Sequence, residues 1–333
     1  IYLACYVIFV GIHLWGVGEA LKLMFAITAV AMAALIVFIV VMVLVGALLT
    51  FGLLFAGPKD AAQALSGGRA EAASVEMLRQ RLGLDRPVHE QYLAYLGGLL
   101  RGDLGESMYF GRPVAEALLE RVPATAQLAL TIFVLAVALG LPLGVVSSMR
   151  RGGILDRTLM VTGLAAISIP SFLFGILLLY FFAFRLKLFP VGGYGTPAHL
   201  VLPALTVALP WAAWYGIVLR SNMLDAVTLD FARTAAAKGL NPWVIAFRHL
   251  LPNALLSVVT MLGMDLAGLL TGLALVEYIF GWPGIGWQAL QAAQRFDIPM
   301  IMGSVLFGAL LIGVANLVVD LVYGWLDPRV RMT

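Results

Sequence analysis

The sequence predicts an all-α integral membrane protein with a six-helix core, a small extracytoplasmic helical insert and an atypical apolar N-terminal extension. Two observations carry that expectation. Of the 333 residues, 62% are hydrophobic and 12% charged, with a mean hydropathy of +0.99. An average soluble domain is about 25% charged. A water-soluble fold of this size lacks the interior to hide so much apolar surface, whereas lipid solvates the outside of a membrane bundle. The apolar residues are also gathered into runs long enough to cross about 30 Å of hydrocarbon at about 1.5 Å per residue. A net charge of +3 gives no nucleic-acid signature, and the single cysteine, Cys5, excludes an intrachain disulfide or a thiol metal cluster.

Residues 1–17 are apolar but barely long enough to span. The chain opens at Ile1, without the basic n-region and small-residue cleavage site of a signal peptide, which leaves an upstream start open. Residues 24–56 are apolar and uncharged over more than one crossing, and the first core span is expected at 35–56. Five further spans are expected near 124–148, 159–184, 200–219, 254–280 and 299–323, inside a domain covering 122–323 and ending in a tail, 324–333.

Loop charge sets the orientation. Arg150, Arg151 and Arg157 lie in one loop, Arg220, Arg233, Lys238 and Arg248 in another, and Arg329 and Arg331 in the tail. These regions share a side if the six spans alternate, and basic excess marks the cytoplasm. Residues 57–121 then lie outside, with Arg185 and Lys187 a mild exception. Within 57–121, Ser74 caps an expected helix with Val75, Leu78 and Leu82 on one face, ended by Gly83. Pro87 suits the first turn of a second helix carrying Val88, Tyr92, Tyr95, Leu96 and Leu99. The insert reads either as a cover for a pore mouth or partner or as a solvated connector.

Between the fourth and fifth spans lies DFARTAAAKGLNPWVIAFRHLLPNAL, residues 230–255. Asp230 is a fair N-cap, Arg233 to Lys238 are strong helix formers, and Gly239 is well placed to end the helix in a left-handed turn. Asn241-Pro242 starts a second helix, which Pro252 interrupts near the membrane. Ala235, Ala236 and Ala237 leave a narrow, smooth surface. On physics alone this is as well a self-packed loop as a helix seated in another protein's groove.

This stretch resembles the coupling loop of binding-protein-dependent ABC importer permeases, whose generic pattern is E-A-A-x3-G-x9-I-x-L-P. Ala235, Gly239, Leu251 and Pro252 match it, while Arg233, Thr234 and His249 stand where the pattern has Glu, Ala and Ile. The R-T-A-x-A-K-G form resembles the dipeptide, oligopeptide and nickel branch. So do LGLDRP at 82–87, GDLG at 102–105, RVPAT at 121–125, SIPS at 168–171, GYG at 193–195, LPAL at 202–205, GWPGIG at 281–286 and LDPR at 326–329. Each is weak alone; the ordered set is specific. Residues 1–43 do not fit the family, and GIHLWGVG at 11–18 is faintly similar to amino-acid or amine permeases.

The resemblance implies a type I ABC importer permease core, a second homologous permease subunit, two cytoplasmic ATPases docked on the coupling loops and an extracytoplasmic substrate-binding protein, all in the bacterial inner membrane. ATP and Mg belong to the ATPase partners, and this chain needs no cofactor or metal of its own. The docking residues it implies are Asp230, Arg233, Thr234, Ala235, Ala236, Lys238, Gly239, Leu251 and Pro252. Dipeptides or oligopeptides are the expected cargo, with nickel, glutathione and sugars behind.

The chain's own chemistry agrees. No G-x-x-x-x-G-K-[ST] occurs, and none of Lys22, Lys59, Lys187 and Lys238 follows a glycine, so there is no phosphate cradle; H-E-x-x-H and G-x-S-x-G are absent too. An ionisable residue inside a span is a functional candidate. Asp265, mid-span in the fifth helix and where related permeases often carry Gln, is a candidate for the translocation path and a substrate amine. An interhelical hydrogen bond is the competing role. Glu277 is a second pathway candidate, better suited to orienting the Trp282-Pro283-Gly284 turn. Asn316 and Asp320 share a face and suit interhelical hydrogen bonding. His199 reads as interfacial, not as a metal ligand. The alternative function is an ion-coupled secondary transporter of amino acids or amines. It predicts inverted repeats, which are not found, and gives 230–255 no role.

Overall fold

The computed structural model describes residues 87–99, 101–295 and 297–326, with isolated residues between 37 and 52. The expected helix after Ser74, most of the first span and residues 327–333 of the tail lie outside the described residues, as do the side chains of Asn316 and Asp320.

The described chain is helical. A short helix α1 (Val88–Leu99) begins directly after Pro87. After the turn at Gly102 and Gly105 come α2 (Val114–Leu119) and α3 (Val122–Met149), together long and apolar enough to cross a membrane. The third expected span is not one rod. It is α4 (Ile154–Ser168) and α5 (Ser171–Leu178), bent by 105° at Ile169-Pro170, and α5 runs on as a π-helical turn over Leu179–Arg185. Pro170 is the cause. It pushes Ile169 into an extended conformation, φ −85° and ψ 126°, and so ends α4.

The next helix, α6 (Pro197–Val227), is the second that is long and apolar enough to cross by itself. Its last residues, expected as loop, continue the helix beyond the apolar run. Pro203 and Pro210 are buried within α6, and Pro142 lies within α3, without ending either helix. The loop helices α7 (Asp230–Ala237) and α8 (Pro242–Ile245) follow, then a π-helical turn (Ala246–Leu250) leading into α9 (Leu251–Gly272). Finally α10 (Ala274–Ile279) and α11 (Ile285–Gln294) precede the long α12 (Ile298–Leu326).

The most extensive helix pair is α3 with α6. Its basis is a row of small residues. A Cβ placed on Gly144 stands 2.7 Å from the Gly216 carbonyl oxygen, and one on Gly140 stands 2.5 Å from that of Ala212. The backbones therefore meet without side chains between them. In lipid, where water gives helices no reason to associate, such approach is a main source of packing energy. Around this pair α4 and α9 pack on α6, and α12 packs on α9.

Candidate functional site

Most of the residues singled out by sequence fall in two regions: the loop 230–255 and a cavity in the bundle that Asp265 lines.

In the loop, α7 is two-sided. Ala232 and Ala235 are buried against the bundle, while Asp230, Arg233, Thr234, Ala236, Ala237 and Lys238 are exposed. Leu229, not Asp230, occupies the N-cap; Asp230 opens the helix and makes no cap bond with its side chain. Its carboxylate instead lies 3.9 Å from the Arg233 guanidinium on the open face, and the Thr234 hydroxyl donates to its carbonyl over 2.8 Å. The C-terminus closes as a Schellman motif. The Gly239 N–H donates to the Ala236 carbonyl (2.9 Å) and the Leu240 N–H to that of Ala235 (3.4 Å). Gly239 sits at φ +72°, where a residue without Cβ is favoured. Asn241 then caps α8, its Oδ1 accepting from the Trp243 N–H over 2.9 Å. Past this turn Trp243 and Phe247 stack, centroids 6.0 Å apart, with both rings about half exposed. Leu251 is half-buried and Pro252 exposed where the π-helical turn runs into α9, so the helix passes through Pro252 and, against expectation, is not interrupted there.

The second region is a cavity of about 380 Å³ at the break between α4 and α5. Val207, Pro210, Trp211 and Trp214 of α6 form one wall and Asp265 of α9 lies on it. The Tyr215 hydroxyl donates to Asp265 Oδ2 over 3.1 Å.

Glu277 is not in that cavity. It is fully buried and organises the turn after α10. Thr125 Oγ1 donates to Glu277 Oε1 (2.6 Å), the Trp287 N–H donates to Oε2 (3.0 Å), and Thr125 Oγ1 accepts from the Ile285 N–H (2.9 Å). Trp282 Nε1 donates to the Ala124 carbonyl over 2.8 Å. The glycines of GWPGIG follow from this packing: a Cβ on Gly284 would collide with the Glu277 carboxylate, and one on Gly286 with Ala274. Of the two roles the sequence leaves to Glu277, this geometry suits orienting the turn, its carboxylate being taken up by Thr125 and the Trp287 N–H. His199 bonds Thr196 across 2.7 Å, and among the described residues no cluster of metal-ligating side chains occurs.

Two further acidic residues were not singled out by sequence. Asp156, at the start of α4, receives both Nε and Nη2 of Arg220, the latter at 2.9 Å, as well as the Ser147 hydroxyl and the Gly152 N–H. The hydrogen-bonded Arg220 guanidinium holds its carboxyl well below the usual carboxylate range, ahead of the Ser147 and Gly152 donors and against the opposing effect of burial. Arg220, expected as one of the basic residues of a loop, is thus half of an ion pair joining α4 to α6. Asp297 is fully buried ahead of α12. It accepts from the Ser107 hydroxyl and from the N–H groups of Met108 (3.2 Å), Tyr109 (3.2 Å) and Met300 (3.3 Å). The last is an N-cap bond, legible in Asp297-Ile298-Pro299; the bonds to residues 107–109 leave no trace in local sequence.

The chain is 37% identical to the probable D,D-dipeptide transport system permease protein DdpB of Escherichia coli K12, over 82% of this chain and 89% of that one. It is 35% identical to the probable peptide ABC transporter permease protein y4tP of Sinorhizobium fredii, over 88% and 96%. It is 37% identical to the glutathione transport system permease protein GsiC of Pectobacterium atrosepticum, over 82% and 90%. A solved structure of the MetNI methionine ABC transporter in an inward-facing conformation shares the fold, with a TM-score of 0.53 and 20% identity over 63% of this chain and 96% of that one. The N-terminal family model of these membrane components matches residues 23–129. The match starts inside 1–43, correcting the expectation that this whole stretch stands outside the family. The model described as binding-protein-dependent transport system inner membrane component matches residues 140–332, and the chain belongs to that family of ABC importer permeases.

Proposed function

We propose that this permease carries small peptides inward across the cytoplasmic membrane and that residues 230–255 are the handle by which a separate ATPase drives it. The cargo reading rests on the relatives, which are named for dipeptide, peptide and glutathione transport. The handle reading rests on one observation: α7 buries Ala232 and Ala235 against the bundle while its other face, with Arg233, Ala236 and Lys238, stands free. The exposed rings of Trp243 and Phe247 extend that free surface. An apolar, aromatic surface flanked by basic side chains suits a groove on a soluble partner. The chain has no phosphate cradle, so ATP and Mg belong to the two partner ATPases. A second permease subunit completes the pathway, and a binding protein delivers cargo from the outer side. The ion-gradient alternative is set aside by the family membership.

Gly239→Asp tests the handle. Among the described residues nothing beyond its chain neighbours lies within 4 Å of a Cβ at Gly239, so the new side chain starts in open space. The left-handed backbone adds only about 1–2 kcal/mol of local strain. The variant is expected to reach the membrane at normal level and to lose co-purification of the ATPase. Unchanged co-purification removes the assigned role of the loop.

A further inference from the structure

The cavity at the α4–α5 break holds a carboxylate that no cation among the described residues meets. We infer that it is a subsite for the α-ammonium group of the cargo, with Asp265 as counter-ion; the inference rests on the reading of the cargo as peptide. A carboxylate inside a span is costly unless a charge or several donors meet it. Among the described residues the protein supplies one donor, the Tyr215 hydroxyl, and that donor is fixed: Tyr215 is fully buried, its ring edge-on to Trp211 with centroids 6.1 Å apart. Oδ2 is thereby oriented while the carboxylate still faces the cavity.

The walls match the same ligand. Trp211 and Trp214 line the space beside Asp265, and Trp214 Nε1 donates to Met261 Sδ over 3.2 Å, which steadies the indole. Aromatic faces favour ammonium groups, more so where water is scarce. The two helix ends that meet at Ile169-Pro170 carry opposite partial charges, so their fields oppose and the carboxylate sets the sign of the site. A volume of about 380 Å³ admits the leading residues of a peptide. Ser171 and Ile167 line the cavity on either side of the break, and both are exposed to it or to the bundle surface.

The test uses the assembled importer in membrane vesicles. With Cys5→Ala, Ser171→Cys becomes the only thiol of this chain. The rates at which cationic 2-aminoethyl and anionic 2-sulfonatoethyl methanethiosulfonate block it are read as loss of later fluorescent-maleimide labelling on this chain's band. The expected result is a cation-to-anion rate ratio that falls about tenfold when Asp265→Asn is added. Trialanine should slow the cationic reagent, and N-acetyl-trialanine should not. Ile167→Cys, across the break, is a second reporter with the same expected readings. A ratio indifferent to Asp265→Asn at both positions, or equal protection by the free and acetylated peptides, overturns the assignment. ATPase docking does not enter these rates, so failure of the handle reading is seen separately, in co-purification.

Discussion

The Thr125 hydroxyl donates to Oε1 of Glu277 across 2.6 Å, joining the first turn of α3 to α10, 152 residues later. Both groups are buried, and Thr125 passes the link on by accepting from the Ile285 N–H. Glu277→Ala strands Thr125 and the Trp287 N–H, and a loss of about 2–4 kcal/mol is expected. Glu277→Gln keeps an acceptor and should lose less. Thermal unfolding of the detergent-solubilised protein ranks the two; equal Tm values for both variants and the parent would contradict the clamp.

The Asp156–Arg220 pair is largely buried, with side-chain exposures of 5% and 17%, and Arg220 grips the carboxylate with two donors. Arg220→Ala leaves a buried, uncompensated carboxylate, at a cost of about 3–5 kcal/mol. The pH dependence has a definite sign. The native carboxyl lies below its ordinary value, so its stabilisation is complete above that value and fades only as pH falls through the depressed one. The Tm gap between the parent and Asp156→Asn is therefore expected to persist from pH 7 to pH 4. A gap already closed at pH 5 would contradict the pairing.

Gly144 lies against the Gly216 carbonyl in the α3–α6 crossing, with 2.7 Å available to a Cβ. Gly144→Val forces the helices apart, and about 1–3 kcal/mol of stability is expected to go. Gly152→Ala is a useful contrast, since it strains a φ of +76° but finds open space. Denaturation midpoints should fall further for Gly144→Val.

Asp297 ties Ser107, Met108 and Tyr109 to the start of α12. Arg295 closes over the Tyr109 ring, 3.7 Å from its centroid. Asp297→Ala is expected to free this strap, and hydrogen exchange at residues 107–110 should accelerate by at least about tenfold. Protection unchanged there would mean that the ring contact alone holds the segment.

Much of the fold was legible because its signals are local. Apolar run length marked α3 and α6, Gly239 the end of α7, and Asn241-Pro242 the start of α8. The bend at Pro170 was coded locally as well, although a run-length reading takes residues 159–184 as one rod. Long-range pairings were not legible. Arg220 looks like one more cytoplasmic cation until Asp156 is brought beside it from 64 positions away, and Asp297 looks like a helix cap until residues 107–109 arrive. The candidate site divides in the same way. Asp265 stood out because a charge within a span is rare, whereas Tyr215, Trp211 and Trp214 became its neighbours only through the packing of α6 on α9.

Photocross-linking from Ala236 reaches the proposed handle on α7 most directly. Ala236 is exposed on the free face of α7, two residues before the turn at Lys238-Gly239. With a benzoylphenylalanine at that position in the assembled importer, irradiation is predicted to give an adduct between this chain and the ATPase. An adduct with the binding protein instead, or none with the ATPase while the complex remains intact, would contradict it.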